Sequence, residues 1–306
     1  MVVLTPLSRK ILEQYQVRKT KKQKNAFISL IQQHFPDVSI QEGGFPRCRN
    51  LIIGNIESAK VIVSAHYDTC AQLPIPNFIT PTNPMLSILY SVLIYIPVFL
   101  AVYILNILLG IYIDSFWVHY FVSLSAILAL LLLLVIGPPN KHTANDNTSG
   151  VIALCELLEV LPKEERSNAA FIFFDHEETG LIGSAYFRSK YKKQLKDRLL
   201  INLDCISDGD YILISANKSA RKLYGELLKK AFAPTESKSI LFTKSERTYY
   251  PSDQIGFPCS IAVAALKKKR FIEYYMDRIH TSRDTILDTE NIQLICQSIH
   301  KFLKQI

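Results

Sequence analysis

Between Met85 and Ile113 the chain reads MLSILYSVLIYIPVFLAVYILNILLGIYI without one charged residue. After Asp114 a second run, FWVHYFVSLSAILALLLLLVI, extends from Phe116 to Ile136. A bilayer core takes about 20 apolar residues of helix, and each run supplies them. In hydrocarbon a helix satisfies its own backbone polar groups, so helix is the form expected for both. A core helix of a soluble domain keeps a polar stripe, which neither run has. Residues 85–137 therefore read as a transmembrane hairpin, with Trp117, His119 and Tyr120 near the turn, where amphipathic rings favour the interface. Pro97 and Asn106 interrupt the first run, and a kink is expected there.

Charge gives the orientation. No Lys or Arg lies between Lys60 and Lys141, and the only acids in that interval are Asp68 and Asp114. With the positive charge all outside the hairpin, the rest of the protein is expected on the cytoplasmic side of the cell membrane. The chain carries 35 Lys and Arg against 27 Asp and Glu, net +8, which suits an anionic lipid surface. The basic stretch RKTKKQKN (residues 18–25) lacks the interleaved aromatics of a nucleic-acid site, so no nucleic-acid partner is expected. Six cysteines without a CxxC pair or regular spacing read as isolated thiols in a reducing compartment. The first residues reach charge too soon for a cleavable signal.

Outside the hairpin, short apolar runs alternate with amphipathic ones. Strands are expected at LIIGN, KVIVSA, NAAFIFFDH, LLINLDCIS and YILISA, and helices over residues 7–34 and at SGVIALCELLEVL, GLIGSAYFRSKYKK, SARKLYGELLKKAFA and TENIQLICQSIHKFLKQ. Alternation of this kind implies an α/β fold with a mixed, largely parallel central sheet flanked by helices. The hairpin is then an insertion: residues 1–84 and 138–306 form one catalytic domain, and residues 85–137 form the anchor.

Polar clusters follow the apolar runs, where strand-end loops gather functional groups. His66 and Asp68 follow KVIVSA, Glu177 and Glu178 follow AAFIFFDH, Asp204 lies in INLDCIS, and His280 lies in RIHTSRDT. Asp146, in ANDNTSG, opens the helix after the hairpin. Each alone has an ordinary explanation: a strand-end histidine, a solvated helix start, a helix cap. Together they supply two histidines and several carboxylates, a nitrogen and oxygen set suited to zinc.

The motifs SAHYDT, ANDNTSGV, FFDHEETGLIGSAYF, NLDCIS, SDQIGFP and HTSRDT occur in an order that resembles the di-zinc exopeptidase family, which includes aminopeptidases, glutamate carboxypeptidases and glutaminyl cyclases. The resemblance covers the chain from about residue 50 onward, hairpin excepted. It implies two zinc ions, with manganese or cobalt as substitutes. By it His66, Asp146 and Asp204 hold one ion, and Asp146, Glu178 and His280 hold the other. Asp68 orients the His66 ring, and Glu177 is the general base. Relatives carry a tyrosine before the last ligand histidine, where this chain has Ile279; Tyr249, Tyr250, Tyr274 and Tyr275 are the candidates to replace it. Gln254 stands where a histidine often follows the SD pair.

The expected function is a membrane-anchored zinc aminopeptidase acting on peptides, apolar ones in particular. The alternatives are a carboxypeptidase or glutaminyl cyclase of the same family, or a scaffold without catalysis. The oligomeric state is not legible.

Overall fold

A computed structural model describes residues 4–73 and 77–306. The basic N-terminal segment forms two helices, α1 (Pro6–Gln14) and α2 (Lys21–His34). The Thr5 hydroxyl caps α1 by accepting from Ser8 N, with Pro6 at the first helical position. Thr20 and Gln23 start α2 with a reciprocal capping box.

The strands are β1 (Ser39–Gly43), β2 (Cys48–Ile53), β3 (Val61–His66), β4 (Ala169–Phe174), β5 (Leu199–Leu203), β6 (Tyr211–Ala216), β7 (Ser239–Lys244), β8 (Ser260–Lys269) and β9 (Glu273–Tyr275). They form one sheet in the order β1-β2-β4-β3-β5-β8-β6-β7, with β9 paired to β8. The run β4-β3-β5-β8 is parallel, while β1-β2-β4 and β8-β6 pair antiparallel. The remaining helices are α3 (Pro84–Gly110), α4 (Phe116–Ile136), α5 (Gly150–Val160), α6 (Lys163–Arg166), α7 (Ile182–Lys190), α8 (Lys218–Ala231) and α9 (Thr289–Leu303). The mixed α/β architecture read from the sequence is the one observed.

Strand side chains alternate between two cores. Val61, Val63, Phe171, Phe173 and Ile201 face one core with α1, α2, α5, α8 and α9. Ile62, Ala170, Ile172, Phe174 and Leu200 face the other with Phe187 of α7 and Phe257. Being covered on both faces, β3, β4 and β5 read in sequence as continuous apolar runs.

β1, β7 and β8 were not legible. β1 and β7 are edge strands that leave several side chains exposed. β8, SIAVAALKKK, is central but alanine-rich, and alanine carries little strand signal.

Helices α3 and α4 pack side by side, and no residue of α3 is buried. Asn106 of α3 donates to Ser123 Oγ of α4 at 2.9 Å, and its side-chain oxygen lies 3.0 Å from His119 Nδ1. Among the described residues one helix, α3, is long and apolar enough to cross a membrane, and the apolar helical stretch Phe116–Ala129 is shorter. At the base the chain closes on itself: Gln72 N donates to Pro138 O at 2.9 Å, Asn140 N donates to Cys70 O at 3.2 Å, and Ala71 bridges Pro139. Residues 77–81 still lie on the α/β domain, where Ile79 bridges Met276 and Pro81 O accepts from Tyr249 N at 2.9 Å.

Candidate metal centre

The parallel order β4-β3-β5 brings three of the polar clusters to one edge of the sheet. His66 ends β3, Asp204 follows β5 directly, and Glu177 and Glu178 lie in the turn after β4. Asp146 reaches them from the turn before α5, and His280 from the loop after β9.

The two oxygens of Asp146 face different histidines. Oδ1 lies 3.4 Å from His66 Nε2, and Oδ2 lies 2.9 Å from His280 Nε2. On the first side Asp204 Oδ1 is 3.4 Å from His66 Nε2. On the second, Glu178 Oε2 is 3.4 Å from His280 Nε2. Glu177 joins the first group, its carboxylate within 4.8 Å of the ligand atoms of His66 and Asp204. All seven residues singled out in the sequence are therefore gathered at this edge.

Asp68 is placed differently from the ring-orienting role expected of its carboxylate. His66 Nδ1 lies 3.1 Å from the Asp68 main-chain carbonyl and 3.8 Å from the carboxylate. The carboxylate instead accepts from Glu177 N at 3.0 Å and Glu178 N at 3.2 Å. It pins the backbone of both glutamates.

A second carboxylate, Asp284, does the same for Asp146. It accepts from Asn145 N at 2.8 Å and Asp146 N at 3.0 Å, and it is buried. It lies in the same HTSRDT motif as His280 and is not among the site residues expected from the sequence. Asn147 adds a further tie, donating to Leu203 O at 2.9 Å and accepting from Gly150 N at 3.0 Å. Arg18, fully buried, donates to Tyr67 O at 2.5 Å and Thr148 Oγ1 at 3.1 Å, linking the segment between α1 and α2 to the loops of His66 and Asp146. Lys24 is buried against Asp175 at 2.5 Å. These two cations of the RKTKKQKN stretch belong to the interior. Lys19 and Lys21 of the same stretch, together with Arg47 and Arg49, line a cavity of about 430 Å³ beside His176.

Two cysteines also reach the cluster. The sulfur of Cys70 lies within 4.8 Å of the ligand atoms of Glu178 and His280, and that of Cys205 within 4.8 Å of those of Asp146 and Asp204. Of the tyrosine candidates, Tyr250 is buried with its hydroxyl donated to Asp204 O at 3.1 Å. Tyr274 packs on Tyr211, Tyr275 on Phe78, and Tyr249 is exposed. Gln254 accepts from Asn202 and donates to Tyr250 O, a structural bridge.

Asp68, Asp146, Glu177, Glu178 and Asp204 converge here, and among the described residues no Lys or Arg forms an ion pair with any of them. Concentrated negative charge in a buried place shifts both glutamates and both histidines. Burial pushes the Glu178 carboxyl up to about 8, with the charge of Asp146 adding to it and His280 opposing. Burial likewise raises Glu177 well above its ordinary value. Burial alone would lower the histidines, but the carboxylates outweigh it: Glu178 and Asp146 hold His280 up at about 10, while Glu177, Asp146 and Asp204 raise His66. Glu178 Oε1 is buried without a hydrogen-bond partner among the described residues. An orphaned carboxylate oxygen, two histidines and surplus anionic charge fit divalent cations of the zinc type.

Residues 123–302, more than half of the chain, match the family described as peptidase family M28. Among solved structures the chain is similar to the LapA aminopeptidase of Legionella pneumophila (TM-score 0.58, 14% identity, 98% of this chain and 68% of that one). It is similar to a Zn-dependent exopeptidase from Parabacteroides distasonis (TM-score 0.56, 13% identity, 97% and 94%). It is also similar to the glutaminyl cyclase of Porphyromonas gingivalis (TM-score 0.59, 14% identity, 98% and 95%). At these identities the likeness is one of fold. No curated protein matches the chain.

Proposed function

The chain belongs to peptidase family M28 and is a metallo-exopeptidase, and from that premise we propose that it is a membrane-anchored zinc aminopeptidase that removes amino-terminal residues from peptides. The observation that carries the proposal is the position of Asp146 between His66 and His280, one carboxylate oxygen toward each. That arrangement suits a carboxylate shared by two ions. His66, Asp146 and Asp204 would hold one, and Asp146, Glu178 and His280 the other.

Bound zinc would supply Lewis acidity, lowering the pKa of water and polarising a carbonyl. The protein's part is to position and to move a proton. Glu177, beside His66 and Asp204, takes a proton from the attacking water and delivers it to the departing amine. Asp68 fixes where Glu177 and Glu178 stand by holding both their amides. His66 is fixed as the last residue of the buried strand β3, and Asp204, directly after β5, is held by its amide donating to Val263 O at 3.1 Å.

The anchor is proposed to be the hairpin of residues 85–137 with two spans, and the α/β domain, in two parts 1–84 and 138–306, to lie on the cytoplasmic side. Support comes from α3, of which no residue is buried, from the 21-residue α4 in contact with it, and from the polar contacts of Asn106, Ser123 and His119 between the helices. The aromatic group Phe116, Trp117, Tyr120 and Phe121 sits at the far turn, suited to the opposite interface. With the anchor rooted beside Cys70 and Asn140, the centre faces peptides near the bilayer, which favours apolar substrates.

The test incubates detergent-purified protein with zinc and defined peptides and follows products by mass spectrometry. Successive losses from the free amino end, blocked by N-acetylation and absent in Glu177→Gln, are expected. Losses from the carboxyl end, or ammonia released from an amino-terminal glutamine without cleavage, would replace the specificity with that of a carboxypeptidase or a cyclase. No turnover together with no bound zinc would leave a scaffold.

A further inference from the structure

The basic cavity beside His176 has a volume of about 430 Å³, within the roughly 300–1,000 Å³ usual for small-molecule sites. Five cations line it, Lys19, Lys21, Lys24, Arg47 and Arg49, against two carboxylates, Glu42 and Asp175. Both carboxylates are engaged. Glu42 pairs with Arg47, and Asp175 pairs with the buried Lys24 at 2.5 Å while accepting from Arg49 N at 2.9 Å. Lys19, Lys21 and Arg49 are left without an ion pair among the described residues, and Arg49 meets only a neutral side chain, donating to Asn25 Oδ1 at 2.7 Å. Lys21 is also the first residue of α2, whose first turn holds no acid to meet the partial positive charge of the helix start.

The cavity adjoins the anchor. The Lys19 ammonium donates to Val135 O in the last turn of α4. In sequence no Lys or Arg flanks the hairpin between Lys60 and Lys141. Lys19 therefore brings to the end of α4 the cation that a spanning helix carries where hydrocarbon gives way to headgroups. Burial lowers this ammonium from its ordinary value, a cost that an anion in the cavity would offset.

We propose that this cavity binds a phosphate group, that of an anionic phospholipid headgroup in the leaflet against which the α/β domain lies. The proposal rests on the membrane anchor proposed above and adds to it a contact that chooses among lipids. Phosphate oxygens accept charge-assisted bonds from two ammoniums and a guanidinium, whereas a zwitterionic headgroup brings its own cation to compete with them. The hairpin supplies burial in hydrocarbon; the cavity supplies the preference. Because Asp175 and His176 directly precede Glu177, a lipid seated here holds the turn of the proposed base beside the leaflet.

The test uses the full chain in detergent with zinc, and native mass spectrometry to count bound lipid. Phosphatidylglycerol and phosphatidylcholine with the same acyl chains are titrated separately, with inorganic phosphate as competitor. One phosphatidylglycerol per chain, held at least about tenfold more tightly than phosphatidylcholine, is expected. Lys19→Gln with Lys21→Gln should weaken it about 25-fold, roughly fivefold per cation, with bound zinc unchanged as the sign of an intact fold. Lys192→Gln with Lys193→Gln removes the same charge from exposed positions outside the cavity and should leave the affinity unchanged. Equal affinity for the two lipids, or equal loss in both double variants, overturns the site, the binding then being one of general surface charge. Inorganic phosphate that displaces the lipid at equal concentration overturns the headgroup as occupant in favour of free phosphate. Vesicles of phosphatidylcholine alone separate the site from the anchor. A chain that incorporates into them yet shows no lipid preference keeps the anchor and overturns only the site; a chain that stays outside them without detergent overturns the anchor itself.

Discussion

Replacing Asp68 by Asn tests whether the glutamate backbone is held by charge. In the folded protein the Asp68 carboxylate, 2% exposed, accepts from two adjacent amides, Glu177 N at 3.0 Å and Glu178 N at 3.2 Å. The Asn side chain has one acceptor oxygen, so one amide keeps a neutral bond and the other faces an NH₂ group, donor against donor. A hydrogen bond to a charged group is worth about 1.5–3 kcal/mol. Loss of one such bond, if expressed in the transition state, lowers kcat/KM by roughly 10- to 150-fold. Because the displaced group is the proposed base, the loss should fall on kcat, with KM little changed. Zinc content should stay at the unmodified level, since no Asp68 carboxylate oxygen comes closer than 3.8 Å to His66 Nδ1. The assay is steady-state hydrolysis of a chromogenic aminoacyl anilide, with zinc measured on the same sample. An enzyme with unchanged kcat and only a lower Tm would refute the reasoning, because the bonds would then serve folding alone. So would a loss of activity that zinc depletion fully accounts for.

Glu177→Gln should lower kcat by about 10²–10⁴-fold with bound zinc unchanged, as read by kinetics and metal analysis. Zinc-free protein should lose stability as pH rises. Glu178 (raised to about 8), Asp284 (raised to about 7) and His280 (raised to about 10) all bind protons more tightly folded than unfolded. Their contribution is full below their unfolded values and is lost as pH climbs through the folded ones, so Tm should fall between about pH 5 and 10. Zinc added at pH 8.5 should restore more stability than at pH 6, which thermal melts with and without zinc would check. Arg18→Ala leaves the carbonyls of Tyr15 and Tyr67 and the Thr148 hydroxyl without their buried donor and should cost about 2–5 kcal/mol in denaturant unfolding; Lys22→Ala, on the exposed side of α2, should cost less than 0.5. Replacing residues 85–136 with a Gly/Ser linker should give a protein that needs no detergent and still binds zinc, because the bonds among Cys70, Gln72, Pro138 and Asn140 close the base without the helices. Aggregation of that variant, or failure to bind zinc, would show the hairpin to be part of the domain.

The α/β class and the candidate donors were legible because both rest on local chemistry. A strand covered on both faces must be apolar at every position, so KVIVSA and AAFIFF declare β3 and β4, and the donors stand where those runs stop. The apolar segment from 85 to 136, whose one charged residue is Asp114, is equally local, since its composition alone marks it. Edge and alanine-rich strands were silent for the converse reason: β1, β7 and β8 are strands because of what they pair with. Distance in space decided the rest. Asp68 was expected to face the ring of His66, two residues away, yet its carboxylate turned to amides more than a hundred residues further on, where two N–H groups outbid one imidazole. Arg18 and Lys24 look like solvated surface in a run of basic residues. They are buried because Tyr67 O, Thr148 and Asp175 supply, from remote segments, the partners that offset the cost of desolvating them. A sequence names the donors it carries; which of them share an ion, and which hold the others still, is set only when strand order brings their loops to one edge.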